Sequence, residues 1–311
     1  MRRLALLALL LPLCAAAWPA TGAAGDYRDL GHDGAARRYY VHVPADLPPG
    51  PAPLVLVLHG AGGSGDQAVQ RYGWEDEADR EGFVAAGPEA LPVKSRWRAS
   101  FLFNPRVWND GSGRGSEETL AHDDLGYIAA VIDDIARRDG IDRDRVFVTG
   151  FSNGASMTHR LGAEKPSLAA AIAPYSGPFW PTPAHQARAL PVLFLIGDTD
   201  PLNPLAGGEV EMPWGNTSTK APVRESVSRW VERLDCAGEG AALPGPVPAV
   251  RLEIWSRCRD GGALTWAVIA GIGHHWAGAG DSGLPERWVG PYVDTGFDAT
   301  DFIWNFFARA R

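Results

Sequence analysis

Apolar residues along this chain fall into short continuous runs, separated by stretches with three- and four-residue spacing. After a short exposed lead, residues 38–43 alternate as an edge or half-buried strand does. A proline-rich connector over 44–53 leads to 54–58, Leu-Val-Leu-Val-Leu, which reads as a central strand covered on both faces. The pattern then predicts a helix over 67–80 and a strand over 83–86. Between 88 and 118 it dissolves into Gly, Pro, Asn and aromatics, including Trp97, Phe101, Phe103 and Trp108. A loop of that length in a compact domain is usually functional or disordered. Its aromatics argue for order, either as one wall of a binding cleft or as a cover for the core.

Residues 123–138 show the clearest helical period. Leu125, Ile128, Ile132 and Ile135 recur on one face, acids open the segment, and Arg137-Arg138 with Gly140 close it. Short buried strands are expected over 146–148, 169–173 and 192–196. A helix over 223–234, strands over 251–256 and 264–270, and a final helix over 300–308 complete the chain. That helix carries Phe302, Ile303, Phe306 and Phe307 on one side. Strands alternate with helices, no repeat is visible and no linker divides the chain. The expected fold is one α/β domain with a mostly parallel central sheet flanked by helices.

Composition narrows the setting. The 311 residues suffice for one large domain, and a net charge of −8 argues against nucleic acid as a partner. Lysines are few, Lys94, Lys165 and Lys220, and arginine carries the remaining positive charge. Arg2-Arg3, the apolar run 4–17 and small residues at 21–24 read as a secretory signal, giving a signal peptide over 1–23 and a catalytic domain over 24–311. The apolar run is too short to span a membrane comfortably, so no stable membrane insertion is expected. In an exported protein Cys236 and Cys258 form an even pair, and a bridge between them would contribute roughly 3 kcal/mol.

The candidate chemistry centres on Gly150-Phe151-Ser152-Asn153-Gly154, between the 146–148 strand and a helix-like stretch over 155–164. Strand, sharp turn and helix with Ser at the apex is the nucleophile elbow of the α/β-hydrolase fold. Chance supplies the glycine-serine pattern in roughly one such chain in five, so context must decide. Serine hydrolysis needs a base, a carboxylate to orient it and donors for the oxyanion. Downstream, Asp198 and Asp200 follow the 192–196 strand, and His274 and His275 follow the 264–270 strand. That is the Ser, acid, His order of the fold, at the carboxyl ends of strands. Spacing leaves both pairs open. The oxyanion donors would be the backbone amides of Asn153 and, from the loop His59-Gly60-Ala61-Gly62-Gly63, Ala61. Adjacent histidines without a Cys or Glu framework make a poor zinc signature, so no metal or other cofactor is expected. His159 reads as packed behind the site and His122 as a helix-start residue, while His32, His42 and His185 have no evident partners.

With these pieces, the chain resembles the secreted esterase family of poly(3-hydroxybutyrate) depolymerases and feruloyl esterases. The likeness rests on Leu58-His59-Gly60, Asp123-Asp124-Leu125-Gly126-Tyr127, the elbow and Gly273-His274-His275-Trp276. Residues 196–204 resemble the family's acid segment, which implies Asp200 as the acid. The Gly-His-x-Trp segment implies His274 as the base, with Trp276 beside it. Trp276 and Trp108 are the candidate substrate-contacting residues, and the family often carries a bridge where Cys236 and Cys258 lie. The sequence departs at Ile196, where the family has His, and at Ala277-Gly278-Ala279 after Trp276. The family's substrate therefore does not transfer directly. The resemblance implies an exported serine carboxylesterase acting on a small aryl ester such as a feruloyl ester, a small alkyl ester, an esterified polysaccharide or a polyester. The same residues would serve an acyltransferase, and a non-catalytic binding relative is the third reading.

Overall fold

The computed structural model describes residues 25–180 and 188–310. The signal segment over 1–23 and His185 lie outside the described residues. The strands are β1 Asp26–His32, β2 Ala35–His42, β3 Ala52–Leu58, β4 Val84–Pro88, β5 Ile141–Phe151, β6 Ala171–Tyr175, β7 Pro191–Gly197, β8 Gly208–Glu211, β9 Thr217–Lys220, β10 Ala241–Pro244, β11 Val250–Trp255 and β12 Ala263–Ile269. Ten of them form one sheet in the order β1-β2-β4-β3-β5-β6-β7-β12-β11-β10, and β8 pairs with β9 in a separate hairpin. The six strands from β4 to β12 run parallel, and antiparallel strands finish both edges.

The helices are α1 Trp74–Glu81, α2 Glu117–Ala121, α3 Asp124–Asp139, α4 Asn153–Glu164, α5 Val223–Arg233, α6 Glu286–Val289 and α7 Ala299–Phe307. Because successive strand side chains point to opposite faces, a strand buried on both must be apolar throughout. On β3, Leu54, Leu56 and Leu58 join one core with Ile128, Ile135, Leu161 and Trp230 from α3, α4 and α5. Val55 and Val57 join the other core, with Trp74, Ala78, Ile303, Trp304 and Phe307 from α1 and α7. Phe302 and Phe306 are only partly buried against it, and Trp304 takes the deeper position.

Several elements differ from expectation. The helix expected over 67–80 is two pieces, a π-helical segment Gln67–Arg71 and α1, because Gly73 adopts φ 79° between them. The exposed lead is strand β1, joined to β2 through Asp33 and Gly34, both at positive φ. This is the geometry that an Asp-Gly hairpin turn favours. Strands β8, β9 and β10, four residues each, lie where the apolar pattern predicts no element. His122 follows α2 rather than opening α3, whose cap is Asp123, accepting from Gly126 N at 2.9 Å.

The Asp-Asp-Leu-Gly-Tyr segment braces the sheet against the long loop. Asp124 forms a 2.7 Å ion pair with Arg37, both side chains at most 2% exposed, and accepts from Asn109 N at 2.7 Å. Arg37 also lies over the Tyr127 ring, and Tyr127 Oη donates to Arg38 O. Cys236 and Cys258 are joined in a disulfide that ties the end of α5 to the turn after β11.

Removing Arg37 would strand a buried carboxylate. Arg37→Met is expected to cost about 3–5 kcal/mol in urea unfolding, with partial recovery when Asp124→Asn is added. A loss under 1 kcal/mol for the single change would show that the pair does not brace the fold.

Candidate active site

Ser152 stands at the turn from β5 into α4 with φ 57° and ψ −119°. A non-glycine residue there is strained by roughly 1–3 kcal/mol, so its neighbours must hold it. The flanking glycines make room. A Cβ on Gly150 would sit 2.5 Å from Gly154 O, and one on Gly154 would sit 2.1 Å from Leu58 O.

Past β7, the two candidate acids separate by contact. Asp200 Oδ2 lies 2.8 Å from His274 Nδ1, while its Oδ1 accepts from Leu202 N at 2.8 Å and Asn203 N at 2.9 Å. Asn203 in turn donates to Ser176 O at 2.8 Å. Burial alone would raise the Asp200 carboxyl. The charge and hydrogen bond of His274, with the two amides, outweigh it and hold the carboxyl below its ordinary value. Asp198 instead accepts from Gly271 N at 2.7 Å and ties the loop after β7 to the end of β12.

The two histidines separate in the same way. His274 faces Asp200, and its ring packs 4.6 Å from that of Phe151, the residue before Ser152. His275 Nε2 donates to Gly290 O at 3.0 Å. With Nδ1 committed to the carboxylate, Nε2 is the basic nitrogen of His274.

Ser152, Asn153, Ala61, Trp108, His274 and Trp276 all line one cavity of about 1070 Å³. Trp108 and Trp276 are nearly fully buried wall residues. Trp108 Nε1 donates to His59 O at 2.9 Å; Trp276 stacks on Tyr72 at 4.5 Å and donates to Thr300 Oγ1. The loop aromatics divide: Phe101 lines the cavity, whereas Trp97 and Phe103 are 66% and 88% exposed. Phe101 meets Trp214 of the β8–β9 turn, whose Nε1 donates to Phe101 O at 2.7 Å, so loop and hairpin close one side together.

Two residues matter more than the sequence suggested. The Asn153 side chain accepts from Trp108 N at 2.7 Å and donates to Asp110 Oδ2 at 2.9 Å, pinning the long loop to the elbow. His59 accepts from Ala90 N at Nε2 and donates from Nδ1 to Gly60 O at 2.8 Å, shaping the glycine loop. Burial pushes its pKa down to about 4, so it stays neutral. His159 is buried, accepts from Trp230 Nε1 at 2.8 Å and is pushed down to about 3 by burial. It therefore packs behind the site, on the inner face of the elbow helix, against Phe179, Phe194 and Trp230. Among the described residues no three His, Cys, Asp or Glu side chains gather as a metal site would.

The phospholipase/carboxylesterase family matches residues 48–222. The chain belongs to that family. NocK of Nocardia uniformis subsp. tsuyamanensis, whose name assigns it provisionally as an esterase, is 30% identical over 281 residues, 84% of this chain and 76% of its own length. Feruloyl esterase B of Thermothelomyces thermophilus is 30% identical over 152 residues, 49% of this chain and 48% of its own, so the chain matches about half of that relative. The solved acetyl xylan esterase from Aspergillus awamori superposes with a TM-score of 0.62 at 19% identity, covering 91% of this chain and 99% of the other. That likeness concerns the fold, the α/β-hydrolase fold. Membership places the chain among carboxylic ester hydrolases.

The differing contacts of the two aspartates make a sharp test. Asp200→Asn is expected to lower kcat on p-nitrophenyl acetate by about 10⁴-fold, and Asp198→Asn by less than tenfold. The reverse ranking would move the orienting acid to Asp198.

Proposed function

We propose that the protein is an exported serine carboxylesterase in which Ser152, His274 and Asp200 act as nucleophile, base and orienting acid. One observation carries the reading. A serine held at positive φ on the elbow shares a cleft with a histidine whose Nδ1 is bonded to a buried carboxylate.

His274 Nε2 takes the Ser152 Oγ proton as the oxygen attacks the ester carbonyl. The negative charge that develops on the carbonyl oxygen is held by the backbone amides of Asn153 and Ala61. His274 then returns its proton to the departing alcohol, leaving Ser152 acylated. Water, deprotonated by His274, attacks the acyl-enzyme and releases the acid. Asp200 keeps the imidazole in the tautomer and orientation both steps require, and stabilises the imidazolium. Two of its four lone-pair directions are already filled by the Leu202 and Asn203 amides, which stops it rotating away.

The walls support an aryl substrate class. Phe101, Trp108 and Trp214 give the cleft flat apolar surfaces that suit an aryl group, and the feruloyl esterase relative acts on that class by its name. A short polyester chain would use the same walls with less of their flatness. Export fits the Cys236–Cys258 bridge, which an oxidising compartment maintains, and a signal segment over 1–23. Among the described residues no helix is long and apolar enough to cross a membrane.

Ser152→Ala is expected to abolish p-nitrophenyl acetate cleavage and labelling by a serine-directed phosphonate while circular dichroism stays native. Retained turnover would move the nucleophile elsewhere. Across methyl ferulate, p-nitrophenyl esters of rising chain length, acetylated xylan and poly(3-hydroxybutyrate), the highest kcat/KM is expected on methyl ferulate. A maximum on the polymer polyester would overturn the aryl assignment.

A further inference from the structure

One of the three lysines in the chain is buried in the wall of this cleft. Lys220, 8% exposed, ends β9, where exposed and buried positions alternate so that Ser218 and Lys220 share the inner side of the hairpin. Both line the cavity. Burying an ammonium without a partner is unfavourable, so a lysine is kept in such a place only where something offsets the charge.

The protein itself offers little. Among the described residues the Lys220 ammonium makes no ion pair or hydrogen bond, and its Nζ lies 5.6 Å from the Trp180 ring. Arg114, a rim residue, sets its guanidinium 4.1 Å over the same ring, bonds to Ser218 Oγ and repels Lys220. Trp180 Nε1 is buried without an acceptor. Two carboxylates lie within range, and both are engaged. Asp110 accepts from Asn153 Nδ2 and from Ser112 N, and Asp200 holds His274. The charged side chains lining the cavity are Arg71, Arg114, Lys220 and Asp110, three cations against one acid in a chain of net charge −8.

We propose that Lys220, with Arg114 beside it, binds a carboxylate carried by the ester substrate, so that the cleft selects monoanionic esters over neutral ones. The inference rests on the esterase reading and adds a subsite to it. A carboxylate presents two acceptor oxygens, one for each cation, and would supply the missing negative charge beside a lysine that is itself largely buried. A charge-assisted contact of this kind is strong because the cation is already desolvated.

The test pairs anionic and neutral esters on each side of the scissile bond. On the alcohol side, 4-acetoxybenzoate is compared with its methyl ester; on the acyl side, monomethyl adipate is compared with methyl hexanoate. Wild-type protein is expected to prefer the anionic member of at least one pair by about tenfold or more in kcat/KM, and that pair identifies the side. Lys220→Met should remove the preference and leave the neutral esters within about twofold, and Lys220→Arg should restore it. The preference should also fall as pH rises through about 8. Burial, with repulsion from Arg114, lowers the Lys220 ammonium to about that value. Below it the ammonium is charged, above it the attraction is lost, and taking the ratio cancels any pH dependence that the two esters share. Equal turnover of both members of each pair by wild-type protein would overturn the proposal. So would a Lys220→Met variant that loses both members alike, which would mark the lysine as structural. Failure of wild-type protein to cleave any of the four esters would remove the esterase reading itself, and the subsite with it.

Discussion

The site depends on how closely the backbones of three parallel strands meet at their carboxyl ends. Ser152 can hold φ 57° only because its surroundings leave it no relaxed alternative. Its N–H donates to Tyr175 O at the end of β6. Below it, a Cβ on Gly177 would sit 2.2 Å from Ser152 O, and on the other side Gly154 brings α4 against the carbonyls of Leu58 and His59. The elbow is therefore a wedge between β3, β5 and β6, and its strain is carried by two apolar cores that fix those strands from both faces.

From the wedge the constraint spreads outward through polar contacts. Asn153 follows Ser152, and its side chain holds Trp108 and Asp110 of the long loop. One residue from each, Asn109 is held by Asp124, and Asp124 is paired with Arg37 on β2. Glu89, at the other end of the loop, meets Arg38 and Arg106 and accepts from Tyr27 Oη. A segment without regular structure is thus fastened at its start to the sheet and, over residues 108–110, both to the turn that carries Ser152 and, through Asp124, to Arg37 of the sheet. This is how an irregular loop can form a wall of fixed shape, which a cleft needs if binding is to orient a carbonyl within reach of Ser152.

What could be read from residues alone follows the same physics. The central strands were legible because burial on both faces requires continuous apolar runs, and α3 because burial on one face gives a helical period. The elbow was legible because only glycine fits beside it. Asp33-Gly34 is a hairpin signal, but β1 beside it is too polar and exposed to stand out as a strand. Strand β10 has no buried position and so no pattern to find. The choice of Asp200 over Asp198 lay beyond spacing. Two residues apart on one loop, they differ only in what the chain brings back to them 73 and 74 positions later, Gly271 for one and His274 for the other. The Asn153 bracket was hidden for the same reason, because a residue singled out for its amide gave no sign of what its side chain holds.

Charge was the property composition described least well. Most arginines here sit at or near the surface beside carboxylates, in pairs that add little to stability and leave the overall balance at −8. That balance sets the long-range field and disfavours large anionic partners such as nucleic acid. Inside the cleft low-dielectric walls screen charge less than open solvent does, and the local sign is set by the four charged side chains lining it. Their balance is opposite to that of the chain. Net charge therefore governs what approaches the molecule as a whole, while Arg71, Arg114, Lys220 and Asp110 govern the charge of what the cleft can hold.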